Sequence, residues 1–129
     1  MTMGTANDQP ADRVEVALHS ETTAIVSLIG EHDLSLGVEL RRALATAVEQ
    51  RRCVLVDLSR CTLLDSTGIA VLLDSQNRVL AGEGRFALVI PPGQGAVARV
   101  AELIRLGDLV PISHSLEDAL TNVGRQPGS

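Results

Sequence analysis

The chain has 129 residues, 45% of them hydrophobic, with 16 acidic and 11 basic side chains and a formal net charge of -5. That length suits one domain whose core needs neither disulfides nor metal. The acidic balance and the single aromatic, Phe86, exclude a nucleic-acid surface, which needs clustered cations or stacking rings. No apolar run approaches the ~18 residues of a membrane-spanning helix.

Residues 1–13 are polar and rich in turn formers, which predicts a disordered lead-in. They lack the basic start and apolar stretch of a signal peptide, so a cytoplasmic location is expected. Residues 14–19 alternate Val14, Val16 and Leu18 with Glu15, Ala17 and His19, the pattern of a half-buried strand. After a polar turn at 20–23, residues 24–29 form a second strand, and the two can pair as a hairpin.

Residues 36–50 are expected to be helical, with Leu36, Leu40, Leu44, Ala47 and Val48 on one stripe and Ser35 as N-cap. The continuous run 53–58 (CVLVDL) predicts a strand covered on both faces. Residues 59–64 read as a loop. A second helix spans 66–80, its inner stripe made of Ile69, Leu72, Leu73 and Leu80, and Gly82-Glu83-Gly84 stops it.

Residues 85–90 (RFALVI) form another buried strand, and Pro91-Pro92-Gly93 breaks the chain. A third helix over 94–106 carries Val97, Val100, Ala101 and Ile104 inward and ends at Gly107. Residues 109–112 form a short strand that Pro111 confines to an edge. Ser115 with Asp118 has capping-box spacing ahead of a final helix whose face is Leu116, Ala119, Leu120 and Val123. Residues 124–129 are a flexible tail. Strands and helices alternate after the hairpin, so the fold class is α/β: a mostly parallel sheet of about five strands with four crossover helices.

Cys53 reads as a small buried hydrophobe. Cys61 has only Arg60 as a basic neighbour and is not expected to be a reactive thiol. His19, His32 and His114 are scattered without metal-ligand spacing. Asp57, at a strand end, either joins an acidic cluster with Asp33 and Asp65 or bonds the following loop. The glycine pairs Gly82/Gly84 and Gly93/Gly95 lack the Lys of a phosphate-binding loop.

The informative stretch is 54–73, VLVDLSRCTLLDSTGIAVLL. It sets Asp65-Ser66-Thr67-Gly68 between a buried strand and an apolar helix. A serine there lies at or beside a helix N-terminus, where the first N–H groups lack helical partners. Gly68 in the first turn leaves room for close approach by another backbone. The residues alone leave two uses for Ser66: a plain N-cap, the commoner role, or an exposed functional hydroxyl. No nucleophile-elbow pattern surrounds it, so no enzyme is expected.

The same stretch resembles the signature of STAS domains in bacterial anti-sigma factor antagonists. The strand ending Asp57-Leu58-Ser59, the Asp65-Ser66-Thr67-Gly68-Ile69 helix start and the Gly30-Glu31-His32-Asp33-Leu34 turn all match that family's pattern, with His32 where an aliphatic residue is usual. The closing segment with Ser115-Leu116-Glu117-Asp118-Ala119 matches as well. The resemblance covers roughly residues 14–123 and implies a single STAS domain. It implies that Ser66 is the phosphoacceptor for a partner that is both anti-sigma factor and serine kinase. Asp65 would orient the hydroxyl, Asp33 would join the docking patch, and Thr67 and Gly68 would complete it.

The resemblance further implies partner switching. The unphosphorylated chain binds the anti-sigma factor and frees a sigma factor, phosphorylation of Ser66 ends the binding, and a phosphatase is a further expected partner. No cofactor, metal, nucleic acid or membrane insertion is expected, and the chain would be a monomer or weak dimer. Two other STAS roles stay open: a constitutive accessory subunit of a transport or lipid-trafficking ATPase complex, and a nucleotide-sensing module.

Overall fold

The computed structural model describes residues 12–32, 37–50, 52–93 and 95–125. Strands β1 (Arg13–Leu18) and β2 (Thr23–His32) form an antiparallel hairpin, closed where the Ser20 hydroxyl accepts from the N–H groups of Thr22 and Thr23. Helix α1 (Gly37–Gln50) leads to β3 (Cys53–Asp57) and β4 (Cys61–Leu64), followed by α2 (Ser66–Ala81) and β5 (Arg85–Val89). Helix α3 (Ala96–Leu103), a 3-10 turn at Leu106–Asp108, β6 (Ile112–Ser113) and α4 (Leu116–Arg125) complete the described chain.

The sheet runs β1-β2-β3-β5-β6, parallel except for the hairpin, with β4 also pairing β2. Alternation along the strands sends Val26, Leu28, Val54, Val56, Phe86 and Leu88 to one face, against α1, α2 and α3. It sends Ile25, Leu55, Ala87 and Val89 to the other, against Ala119 and Val123 of α4. This is why 53–58 and 85–90 read as unbroken apolar runs: both faces are covered. The sheet's C-terminal end gathers the close of β2, all of β4 and the start of α2.

Several expectations change. Residues 59–64 are not all loop, because 61–64 form β4. The Asp57 carboxylate accepts from the Ser59 N–H at 2.9 Å, an Asx turn that bends the chain after β3. The chain then returns to the same edge of β2, pairing Gly30 with Cys61 and His32 with Leu64. A bulge at Gly30–Glu31 accommodates this. Gly30 supplies the positive φ of 85°, and the Asp12 carboxylate takes the Glu31 N–H at 3.0 Å.

In β1 only Val14 packs on the core; Val16 and Leu18 are 48% and 57% exposed, because the strand is the outermost of the sheet. In α2 the buried positions are Gly68, Val71, Leu72, Ser75, Gln76 and Val79, a stripe rotated from the expected one, and Leu80 faces out. Gln76 is buried because its amide donates to the Leu109 carbonyl at 2.8 Å.

Helix α3 ends at Leu103, short of Gly107. Arg105 reverses the chain in the left-handed region at φ 57°, Ile104 lies 45% exposed, and Leu106 turns inward instead. The last sheet strand is displaced to Ile112–Ser113, on the edge as expected. Ser115 caps α4 by accepting the Asp118 N–H at 3.0 Å. Ser35, Leu36 and Gln94 lie outside the described residues.

Candidate functional site

The start of α2 is built by β4. That strand delivers Asp65 in extended backbone (φ -92°, ψ -178°). The Asp65 carboxylate accepts from the Gly68 N–H at 3.0 Å, and its carbonyl accepts from the Ile69 N–H at 3.0 Å. Asp65 is therefore the N-cap, and Ser66 is the first helical residue. The cap reading of Ser66 fails: its side chain is exposed and has no hydrogen-bond partner among the described residues. The N–H groups of Ser66 and Thr67 precede any intrahelical acceptor, so the hydroxyl stands beside uncompensated positive dipole.

The other expected residues divide. Thr67 is half-buried. Gly68 is buried, and the space it leaves faces inward: a Cβ there would lie 2.5 Å from Leu64 Cδ1. The room expected for a partner's backbone is taken by Leu64. Asp57 serves its own loop through Ser59. Asp33 lies outside the described residues, but both elements that bracket it end at this site. His32 pairs with Leu64, and a Cβ on Gly37 would lie 3.7 Å from Thr67 Cγ2.

Two exposed apolar side chains, absent from the expected site, come from the same elements. Leu63 in β4 is 42% exposed, two residues before Asp65. Val38, next to Gly37, is 65% exposed. Val38 was visible as an apolar residue off the α1 stripe; Leu63 was hidden with the rest of β4. An exposed hydroxyl beside a carboxylate, with exposed apolar side chains on the adjoining elements, offers groups suited to contact with another protein.

Cys61 lies behind this surface. Its Sγ donates to the Leu63 carbonyl at 3.3 Å, and burial pushes the thiol up to about 11, which leaves it protonated and inert near neutral pH. Among the described residues no group of three His, Cys, Asp or Glu side chains is placed to hold a metal. No helix among them is long and apolar enough to cross a membrane. A groove of about 500 Å³ between Pro92, α3 and Ile112 contains no residue of the Ser66 surface.

The family described as Mlab, STAS domain matches residues 15–111. Among solved structures, an anti-sigma factor antagonist from Mycobacterium paratuberculosis is 28% identical, with a TM-score of 0.78 over 88% of this chain and 95% of that one. The antagonist SpoIIAA in its unphosphorylated form superposes at 0.68 with 19% identity, over 87% of this chain and 97% of that one. SpoIIAA of Bacillus in the phosphorylated form superposes at 0.64 with 20% identity, over 85% and 98%. No curated protein matches the chain.

Proposed function

Since the chain belongs to the STAS domain family, we propose that it is an anti-sigma factor antagonist whose Ser66 surface docks an anti-sigma factor with serine kinase activity and is switched off by phosphorylation. One observation carries the reading: Asp65 does the capping, so the exposed Ser66 hydroxyl has no structural duty to lose. The 28% identical structure described as an anti-sigma factor antagonist supports it.

Unmodified, Ser66 offers a small exposed hydroxyl next to Asp65 and Thr67, with exposed Leu63 and Val38 on the adjoining β4 and α1 and Asp33 on the connection that joins β2 to α1. The chain acts by occupying the partner, in the cytoplasm, and the chemistry belongs to the kinase. Phosphorylation adds about -1.5 to -2 charges. The Ser66 and Thr67 N–H groups can receive the phosphate, so the helix start persists. The partner meets a doubled acidic cluster, and a loss of ~3 kcal/mol weakens binding more than a hundredfold. A phosphatase resets the switch. The fold matches both the phosphorylated and unphosphorylated forms of SpoIIAA, in keeping with a change of affinity without refolding.

Affinity capture with wild-type and Ser66→Asp baits tests this. The wild type should retain an ATP-binding serine kinase that adds one phosphate to Ser66, and Ser66→Asp should not retain it. Retention of one transport ATPase by both baits overturns the switch and establishes the constitutive accessory-subunit role instead.

A further inference from the structure

The two edges of the sheet are protected unequally. β6 is two residues long and follows directly on Pro111, both devices that discourage pairing with another chain. β1 runs six residues in unbroken register with β2 and contains no Pro. The direction of its backbone groups follows from the hairpin. The His19 N–H donates to the Thr23 carbonyl at 2.9 Å, so His19 and Thr23 are a hydrogen-bonded pair. Alternation then turns residues 13, 15 and 17 toward β2 as well.

The far side of β2 agrees. The Cys53 N–H donates to the Thr22 carbonyl and the Gly30 N–H to the Arg60 carbonyl, so the even residues of β2 serve β3 and β4. Among the described residues, the unpaired edge of β1 is therefore formed by the N–H and C=O groups of Val14, Val16 and Leu18. These three are its large apolar side chains, on one face, with Val16 and Leu18 about half exposed.

This edge is complementary to itself. Antiparallel pairing about a two-fold axis at Val16 sets Val16 against Val16 and Val14 against Leu18 of the other copy. The pairs 14/18, 16/16 and 18/14 are then the ones whose groups point outward. Each pair exchanges two hydrogen bonds, about six across the seam, and the apolar stripe meets an identical stripe. We propose that the β1 edge joins two copies of this chain in an isologous dimer, continuing the sheet across a two-fold axis.

The charges fit that occupant. In this register Glu15 faces Ala17 of the other copy, and the two Glu15 residues approach only diagonally. Each is already paired with its own Arg13 at 2.7 Å and Arg60 at 3.5 Å. A seam this short buries less than a standard interface, so dissociation constants on the order of 10–100 μM are expected. Two copies of net charge -5 repel, so added salt should tighten the dimer.

Sedimentation equilibrium of the full chain across this range tests the proposal, with Val16→Pro as the deciding variant. The Val16 N–H points away from β2, so Pro removes an outward donor and spares the hairpin. The wild type should show a monomer–dimer equilibrium that tightens with salt. Val16→Pro should weaken it at least about tenfold, with circular dichroism and melting temperature retained. If that variant fails to fold, Val16→Cys decides: the facing Cα atoms lie about 5.5 Å apart, within disulfide reach, so oxidation should give a covalent dimer that Ala17→Cys does not. A wild type that stays monomeric, because its own N-terminal residues or nothing at all covers the edge, overturns the proposal. So does a dimer indifferent to Val16→Pro in folded protein.

Discussion

Replacing Asp65 with Ala removes the carboxylate that holds the Gly68 N–H and should cost about 1 kcal/mol, with Asp65→Asn restoring most of it. Ser66→Ala should leave stability within about 0.5 kcal/mol, because the hydroxyl bonds to no described group. Urea denaturation of the three variants measures both, and a loss above 1 kcal/mol for Ser66→Ala would return the capping role to Ser66. Gly68 adds a third comparison. A methyl there meets Leu64 Cδ1 at 2.5 Å; overpacking of about 1–3 kcal/mol works against a helix-propensity gain of about 1 kcal/mol. Gly68→Val should be clearly destabilising and Gly68→Ala less so. The Gly68→Val cost should shrink in a Leu64→Ala background, a coupling that a double-mutant cycle reads directly. The site was legible in sequence as far as its address, since a strand, a DSTG and an apolar helix fix where a helix starts. Which of two adjacent cap-competent residues caps was not legible: Asp and Ser are both good N-caps, and only the extended backbone at Asp65 decides between them.

At the scale of elements, helices with a one-sided apolar stripe and strands covered on both faces were readable, and α1, β3, β5 and α4 fall where their patterns place them. The misreadings share a cause, which is that tertiary contacts select among locally equivalent choices. β4 depends on pairing with β2 across a bulge, which four residues cannot announce on their own. The α2 stripe turned because Ser75 and Gln76 are buried and Leu80 is not; a leucine-rich helix supports more than one inner face. The end of α3 was assigned to Gly107 by residue type, whereas Arg105 takes the left-handed position. Arg105→Gly should therefore stabilise by about 0.5–1 kcal/mol. Relief of the left-handed strain outweighs the loss of an exposed ion pair to Asp108 that contributes little. Gly107→Ala should be close to neutral, its Cβ meeting Ile112 Cδ1 at an ordinary 3.8 Å. Denaturation midpoints for the pair check this, and a destabilised Arg105→Gly would show that the ion pair, rather than the backbone, governs the turn.

At the scale of the whole molecule, an unusual composition makes one buried group measurable. The sequence contains no Lys and no Tyr; all 11 of its basic residues are Arg, which stay charged well beyond pH 11. Thiols are then the only side chains of a type that titrates between about pH 9 and 11. Burial of Cys61 raises its folded-state value from 9.0 to about 11. Below pH 9 the folded and unfolded chains both hold this proton, and the preference for the neutral thiol is fully present. Between 9 and 11 the unfolded chain releases the proton while the folded chain keeps it. The unfolded state then binds fewer protons, and unfolding free energy falls as pH rises; above 11 both states are ionised and the decline levels off. Wild-type protein should lose stability across this window, and Cys61→Ala, less stable at pH 8 for the cavity it leaves, should show a shallower slope. Thiol-reactive probes should modify Cys61 in step with unfolding. Parallel slopes for the two proteins, or rapid modification of Cys61 in folded protein, would mean that β4 does not seal the sheet behind Ser66 as described. The proposed docking surface would then rest on a strand free to open.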